Sequence, residues 1–264
     1  MIADYHMHLR APDESLDFSV EAIERFVEVA RARGIDEIGF SEHVYYFRQT
    51  SDMWTIPYQI ERCAFDLDEY CAAVVDAKRQ GLRVKLGLEV DWVPGRSERL
   101  AELLAPYPWD YLLGSIHFLD GLGLDAEPSL VSGLGPEGAW ARYFGELAQL
   151  AASGLVDVLA HPDLVKFFGE LVQWDWGELV GALDGVALEV STAGRYKPHG
   201  RLYPEAGLLA AARAAGVGVT LASDAHVPAN VGRDIELALA HARAAGYETV
   251  TVFEARRSRQ EALG

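Results

Sequence analysis

The segment Asp4-Tyr5-His6-Met7-His8 sets two imidazoles two residues apart near the start of the sequence. In an extended backbone, residues i and i+2 point to the same face, so His6 and His8 can grip one ion. The same spacing returns far along the chain, where Asp224 and His226 flank Ala225. Between these pairs come Ser41-Glu42-His43, Gly87-Leu88-Glu89-Val90-Asp91, Ser115-Ile116-His117 and Ala160-His161-Pro162-Asp163. Imidazole and carboxylate are the side chains that bind zinc, iron or manganese. A carboxylate has two oxygens, and Glu89, leaving the middle of the series, is placed to bridge two ions. A lone histidine in a loop is weak evidence for a metal. His6, His8, His43, His117, His161 and His226, joined by Glu89 and Asp224, form a pattern that chance rarely supplies.

Each of these residues follows a short apolar or β-branched run. The strand candidates are residues 2–5, 37–40, 84–88, 111–116, 156–160, 186–190 and 217–222, with 249–253 as an eighth strand or an edge. Between them, residues 20–33, 67–80, 97–104, 138–152, 205–215 and 230–245 carry apolar residues at helical spacing. Several of these stretches stop at glycine, at Gly34, Gly81, Gly216 and Gly246, the usual C-terminal signal. Strand and helix alternating along a whole chain predict an α/β fold with a parallel sheet and helical crossovers.

Two closures compete, a (β/α) barrel and an open doubly wound sheet. In a barrel the C-terminal ends of all strands meet at one mouth. In an open sheet only those near the topological switch point meet. Ligand candidates on six or seven strands favour the barrel. With no internal repeat and no second hydrophobic unit, residues 1–264 read as a single domain.

Composition narrows the partners. The net charge is −17, from 40 acidic and 23 basic residues. Such a surface repels nucleic acid and anionic lipid, so neither is an expected partner. An anionic small molecule would need a locally positive pocket, which bound cations could supply. The opening MIADYHMHLR lacks the features of a secretory signal, and no apolar run approaches the ~18 residues of a membrane span. Cys63 and Cys71 have no CxxC partner and read as free thiols. A cytoplasmic location is the resulting expectation; the oligomeric state is left open.

Taken in order, HxH, SEH, GLEVD, SIHF, AHPD and SDAH resemble the polymerase-and-histidinol-phosphatase (PHP) superfamily over the span from His6 to Arg233. Within it, GLEVDW, SIHF and STAGRYKP look like the histidinol-phosphate phosphatase branch. The resemblance implies a distorted (β/α)7 TIM-like barrel with three divalent metal ions, zinc, iron or manganese. It implies hydrolysis of L-histidinol phosphate, a step of histidine biosynthesis, by a metal-activated hydroxide. Carried over residue by residue, His6, His8, Glu89 and Asp224 would hold one ion, and Glu89, His117 and His161 a second. His43 and His226 would hold the third with Glu14, which stands where the family commonly has histidine. That departure makes the third site more anionic and harder, favouring iron or manganese over zinc.

Clustered metals suit phosphomonoester hydrolysis because they neutralise phosphoryl oxygens and bring the pKa of a bound water toward ~7. No protein nucleophile is needed, and neither a cysteine phosphate loop nor GxSxG is present. Glu89 would act as the catalytic bridge, with Asp224 and His199 as candidate proton donors to the leaving group. For His199 in Lys197-Pro198-His199-Gly200, pocket lining and plain solvent exposure are equal alternatives. Arg195, Lys197 and Lys166 are the candidate substrate-binding cations, with exposed ion pairs as the alternative reading. The aromatic insert holding Tyr45, Tyr46, Phe47 and Trp54 is a candidate lid, and His241 reads as a surface residue. Another phosphoester, such as a nucleotide or phosphotyrosine, is the competing substrate. An amidohydrolase would also begin with HxH, but that class carries a bridging lysine where this chain has His117.

Overall fold

Helix α1 (Val20–Ala32) shows how the local pattern becomes local structure. Ser19 caps it, its hydroxyl accepting from the Ala22 N–H, and Ala22, Ile23, Phe26, Val27 and Ala30 form the buried stripe. Gly34, at φ +70°, ends it in the left-handed conformation that glycine adopts without strain. The computed structural model describes residues 1–10, 15–126, 129–167 and 171–264.

The strands run in chain order as β1 (Ala3–Asp4), β2 (Glu37–Phe40), β3 (Val84–Leu86), β4 (Glu89–Asp91), β5 (Leu113–Ser115), β6 (Phe118–Leu119), β7 (Leu122–Gly123), β8 (Val158–Leu159), β9 (Ala187–Ser191), β10 (Val219–Ala222), β11 (Thr249–Glu254) and β12 (Arg257–Ala262). The remaining helices are α2 (Pro57–Arg62), α3 (Leu67–Arg79), α4 (Ser97–Leu104), α5 (Ser129–Ala152), α6 (Gly177–Gly181), α7 (Ala206–Ala214) and α8 (Ile235–Ala244). β1-β2-β3 form one parallel sheet and β4-β5-β8-β9-β10 another. This is an α/β fold of parallel sheets with helical crossovers.

Backbone bonds also run between the two sheets. Beyond β1, Met7 bridges Ala225, and the His8 N–H donates to Ala225 O at 2.8 Å. Beyond β2, His43 bridges Glu89, and the Glu89 N–H donates to Glu42 O at 2.9 Å. Asp4 reinforces the first seam, its carboxylate accepting from the backbone N–H of Ser223 at 2.9 Å and of Gly232 at 3.0 Å.

Three local expectations change. Residues 84–88 do not form one strand; the chain breaks at Gly87 and Leu88, so β3 pairs with β2 and β4 pairs with β5. The buried Tyr111 ring sits at that break, its hydroxyl donating to Tyr5 O at 2.6 Å. A Cβ on Gly39 or Gly87 would overlap this ring, so close approach, not turn conformation, requires glycine at both. The segment 249–253 joins neither parallel sheet and instead forms the antiparallel hairpin β11–β12. The expected helix 138–152 begins earlier, at Ser129, and is interrupted at Gly135 (φ +70°, ψ 163°) just before Pro136. Among the described residues, no helix is long and apolar enough to cross a membrane.

Candidate metal centre

The histidines and acids that follow the strands converge. Glu89, wholly buried on β4, presents its two oxygens to two different groups. Oε2 lies 3.4 Å from His6 Nε2 and 3.8 Å from His8 Nε2, and both imidazoles also face Asp224 Oδ1, at 3.7 and 3.4 Å. Oε1 lies 3.4 Å from His117 Nε2 and 3.0 Å from His161 Nε2. His43 Nδ1 approaches Oε2 at 2.7 Å. His43 and His226 come together with His8, their ligand atoms all within 4.8 Å of one another. Glu14 lies outside the described residues.

Three further carboxylates, which the sequence reading passed over as chemistry, hold the imidazoles from behind. Glu189 Oε2 bonds His6 Nδ1 at 2.7 Å, and its Oε1 accepts from the His161 backbone N–H at 3.1 Å. Asp91 Oδ1 bonds His117 Nδ1 at 2.7 Å. Glu42 Oε2 faces His8 Nδ1 at 3.4 Å. A carboxylate on one ring nitrogen fixes the tautomer and turns the other nitrogen, as an acceptor, toward the centre. Signals existed for all three: Glu42 adjoins His43, Asp91 is two residues from Glu89, and Glu189 interrupts an apolar strand.

The donor set fits cations. Among the described residues, His6 Nε2 and His8 Nε2 are buried without a hydrogen-bond partner. Leaving such atoms unpaired costs about 1–3 kcal/mol each, which an ion held between them would remove. Electrostatics agree. Burial disfavours charge on Glu89, yet His117, His6 and His43 hold its carboxyl well below the usual range. Asp224 is held low against burial in the same way, by His6 and His226. Burial also opposes charge on His6, but Glu189, Glu89 and Asp224 outweigh it and raise its pKa. His117 is pushed up to about 10, with Asp91 and Glu89 overcoming burial. The carboxylates therefore stay ionised and hold cationic partners, protons or metals.

His161 (φ +26°) and Asp224 (φ +52°) have left-handed backbones that non-glycine residues seldom adopt. Such conformations persist where surrounding bonds over-determine them, and they concentrate at functional sites.

Above this cluster opens a cavity of about 520 Å³, of a size that takes a small molecule. Glu89, His43, His117, His161, Asp224 and His226 reach it, together with Arg10, Lys197 and Asp125. Tyr45, Tyr58, Phe118, Phe167 and Tyr203 supply aromatic surface. Of Tyr45, Tyr46, Phe47 and Trp54, Tyr45 lines the cavity. Tyr46, Phe47 and Trp54 are buried in the core and do not face the cavity.

The three cation candidates separate. Lys197 lines the cavity. Lys166 does not: it is fully buried, its ammonium bonding Asp163 Oδ2 (2.9 Å), Glu205 Oε1 (2.9 Å) and Leu202 O (2.7 Å). Arg195 turns to the surface, where Nε pairs with Asp234 Oδ2 at 3.0 Å. Arg10, unforeseen because it sits in the strand-like HxH segment, reaches the cavity and bonds the Tyr46 hydroxyl. His199 does not line the cavity; its Nε2 lies 3.1 Å from the Tyr203 hydroxyl. His241, expected at the surface, is half-buried and donates to Pro204 O at 2.9 Å.

Glu189 offers a direct test of the outer carboxylates. Glu189→Gln keeps the shape but removes the charge behind His6, so metal affinity falls by roughly 10- to 100-fold. Competition with a chelator measures this, and unaltered retention of metal would refute the role.

Comparison with known proteins places these features in context. A family model described as PHP domain matches residues 4–193. A protein of Deinococcus radiodurans described as "Probable histidinol-phosphatase" is 33% identical over 239 residues, covering 86% of this chain and 88% of the relative. A protein of Schizosaccharomyces pombe with the same description is 25% identical over 262 residues, covering 88% and 84%. The crystal structure of histidinol phosphate phosphatase from Lactococcus lactis, complexed with zinc, L-histidinol and phosphate, matches with a TM-score of 0.76. At 20% identity, with 98% of each chain covered, that likeness speaks to the fold.

Proposed function

The chain belongs to the PHP domain family, and from that premise we propose that it hydrolyses L-histidinol phosphate to L-histidinol and phosphate at a centre of divalent metal ions. The observation that carries the reading is the division of Glu89 between two ligand groups beneath an open cavity. His6, His8, Glu89 and Asp224 are the proposed ligands of one ion, and Glu89, His117 and His161 of a second. His43 and His226, with Glu14, are proposed for a third, and His8 stands close enough to join them. Zinc, iron and manganese all suit imidazole and carboxylate donors. When bound, such ions neutralise phosphoryl oxygens and make a coordinated water acidic enough to serve as a nucleophile near neutral pH.

The chain's own residues supply the rest. Asp91, Glu189 and Glu42 keep the imidazoles turned toward the centre. Arg10 and Lys197 add fixed positive charge for a phosphate dianion. Tyr45, Tyr58 and Phe118 offer faces for an imidazole, and Asp125 a carboxylate for an ammonium group. L-Histidinol phosphate carries all three groups: phosphate, ammonium and imidazole. The proposal extends to one domain over residues 1–264, closed as a distorted (β/α)7 barrel. The Met7–Ala225 and His43–Glu89 bridges between the parallel sheets support that closure. A cytoplasmic place in histidine biosynthesis belongs to the same proposal.

The metal cluster alone would serve a nucleotide or phosphotyrosine as well. Steady-state kinetics across a phosphoester panel decide between them. The highest kcat/KM is expected for L-histidinol phosphate; a higher value for another ester would transfer the function to it.

A further inference from the structure

Resting on the phosphatase reading above, we infer that Tyr203 is a catalytic hydrogen-bond donor to the ester oxygen that leaves with the alcohol, and that His199 is its positioning residue. Hydrogen-bond direction carries the argument. The Arg201 backbone N–H donates to His199 Nδ1 at 3.1 Å. A nitrogen that accepts a hydrogen bond carries no proton, so the ring's hydrogen is on Nε2. That Nε2–H lies 3.1 Å from the Tyr203 hydroxyl and donates to it. The phenol oxygen is therefore an acceptor toward His199, and its own hydrogen is left to point elsewhere. Among the described residues no acceptor takes that hydrogen, and Tyr203 lines the cavity above the histidine and carboxylate cluster although only 1% exposed. Burial and the nearby Lys166 push the His199 pKa down to about 4, which keeps the ring in the neutral form this geometry requires.

The position is built from several sides. Tyr203 and Ser191 exchange both backbone bonds, at 2.8 and 3.0 Å, which pins the residue to the end of β9. Its ring meets His161 with centroids 6.0 Å apart, and the Lys166 ammonium stands 5.0 Å from the ring centroid. Gly194 leaves the necessary room, since a Cβ there would collide with Arg201 O and crowd His199 and Tyr203. A phenol fixed in this way beside a metal-ligand candidate meets the leaving oxygen without reorganisation. In the hydrolysis, the water oxygen goes to phosphorus, the phosphorus–ester oxygen bond breaks, and a water proton ends on the alcohol. Tyr203 transfers no proton in net terms; its hydrogen bond stabilises the charge developing on the departing oxygen.

Leaving-group dependence tests the inference. An alkyl alcohol is a poor leaving group that needs such a donor, whereas p-nitrophenolate needs little help. For full-length, metal-loaded Tyr203→Phe, kcat with L-histidinol phosphate falls on the order of 10²-fold, and KM moves far less. The loss with p-nitrophenyl phosphate is at least about tenfold smaller. His199→Phe reproduces this selective loss, and His199→Gln, whose amide can donate like Nε2–H, restores much of it. In wild type, histidine nitrogen NMR should assign His199 as a neutral Nε2–H ring. Equal losses on both esters, or none on either, would overturn the role, with metal content and melting temperature confirming intact variants. If wild type cleaves p-nitrophenyl phosphate but not histidinol phosphate, the substrate proposal fails. The Tyr203 test then proceeds unchanged with glycerol phosphate as the alkyl ester.

Discussion

Glu89→Gln abolishes turnover while the chain still folds. The substitution preserves volume and leaves β4 paired with β5, so the backbone around it is undisturbed. It replaces one oxygen by an NH2 group that cannot ligate, and it removes the charge that His6, His43, His117 and His161 all face. Whichever way the amide turns, one of the two ligand groups loses its carboxylate oxygen and meets an N–H donor. A metal-based stabilisation of several kcal/mol is then lost. At about 1.36 kcal/mol per tenfold, kcat drops by roughly 10³ or more. Elemental analysis should show fewer bound ions per chain than in wild type, and circular dichroism an unchanged fold. Full activity with a full complement of metal would remove Glu89 from the bridging position and with it the main support for a shared centre.

The convergence of these histidines and carboxylates was legible because paired donors follow the two-residue period of a strand. HxH and DxH put two donors on one face of an extended chain, and apolar runs mark where each strand ends. The glycine stops were equally plain: Gly34, Gly81, Gly216 and Gly246 all take positive φ. The break of 84–88 at Gly87 and Leu88 was not legible, because the Tyr111 ring packed against Gly87 comes from a residue distant in sequence. Nor could spacing separate the roles of the cations. Lys166, Arg195 and Lys197 all follow strands in an acidic protein, yet one is buried, one pairs at the surface and one faces the cavity. Their destinations depend on which carboxylates the fold brings alongside: Glu205 and Asp234 announce nothing in sequence, and Asp163 stands in AHPD with no sign of its lysine partner. For the outer carboxylates Glu42, Asp91 and Glu189 the sequence marked positions but not roles: an acid behind a histidine is told from a solvated acid by its place in three dimensions.

Lys166→Met is expected to act on stability, where a substrate-binding lysine would act on KM. Methionine matches the length of the lysine stem but leaves Asp163, fully buried, without its cation. Burial already raises the Asp163 pKa, with Lys166 the principal influence holding it down. Breaking a buried pair from one side costs about 3–5 kcal/mol, because an uncompensated charge remains. For a domain of this size that lowers Tm by roughly 10 °C. Adding Asp163→Asn should recover part of the loss, since the orphaned charge is then gone. Recovery will be incomplete, because Asp163 Oδ2 also accepts from the Glu205 N–H at 2.7 Å and Lys166 also ties down Leu202 O. Leu202 and Glu205 flank Tyr203, so loosening them should lower kcat for the alkyl ester in the single variant while KM changes little. A raised KM with Tm unmoved would instead place the ammonium at the substrate, and the buried network could not then be the arrangement in solution.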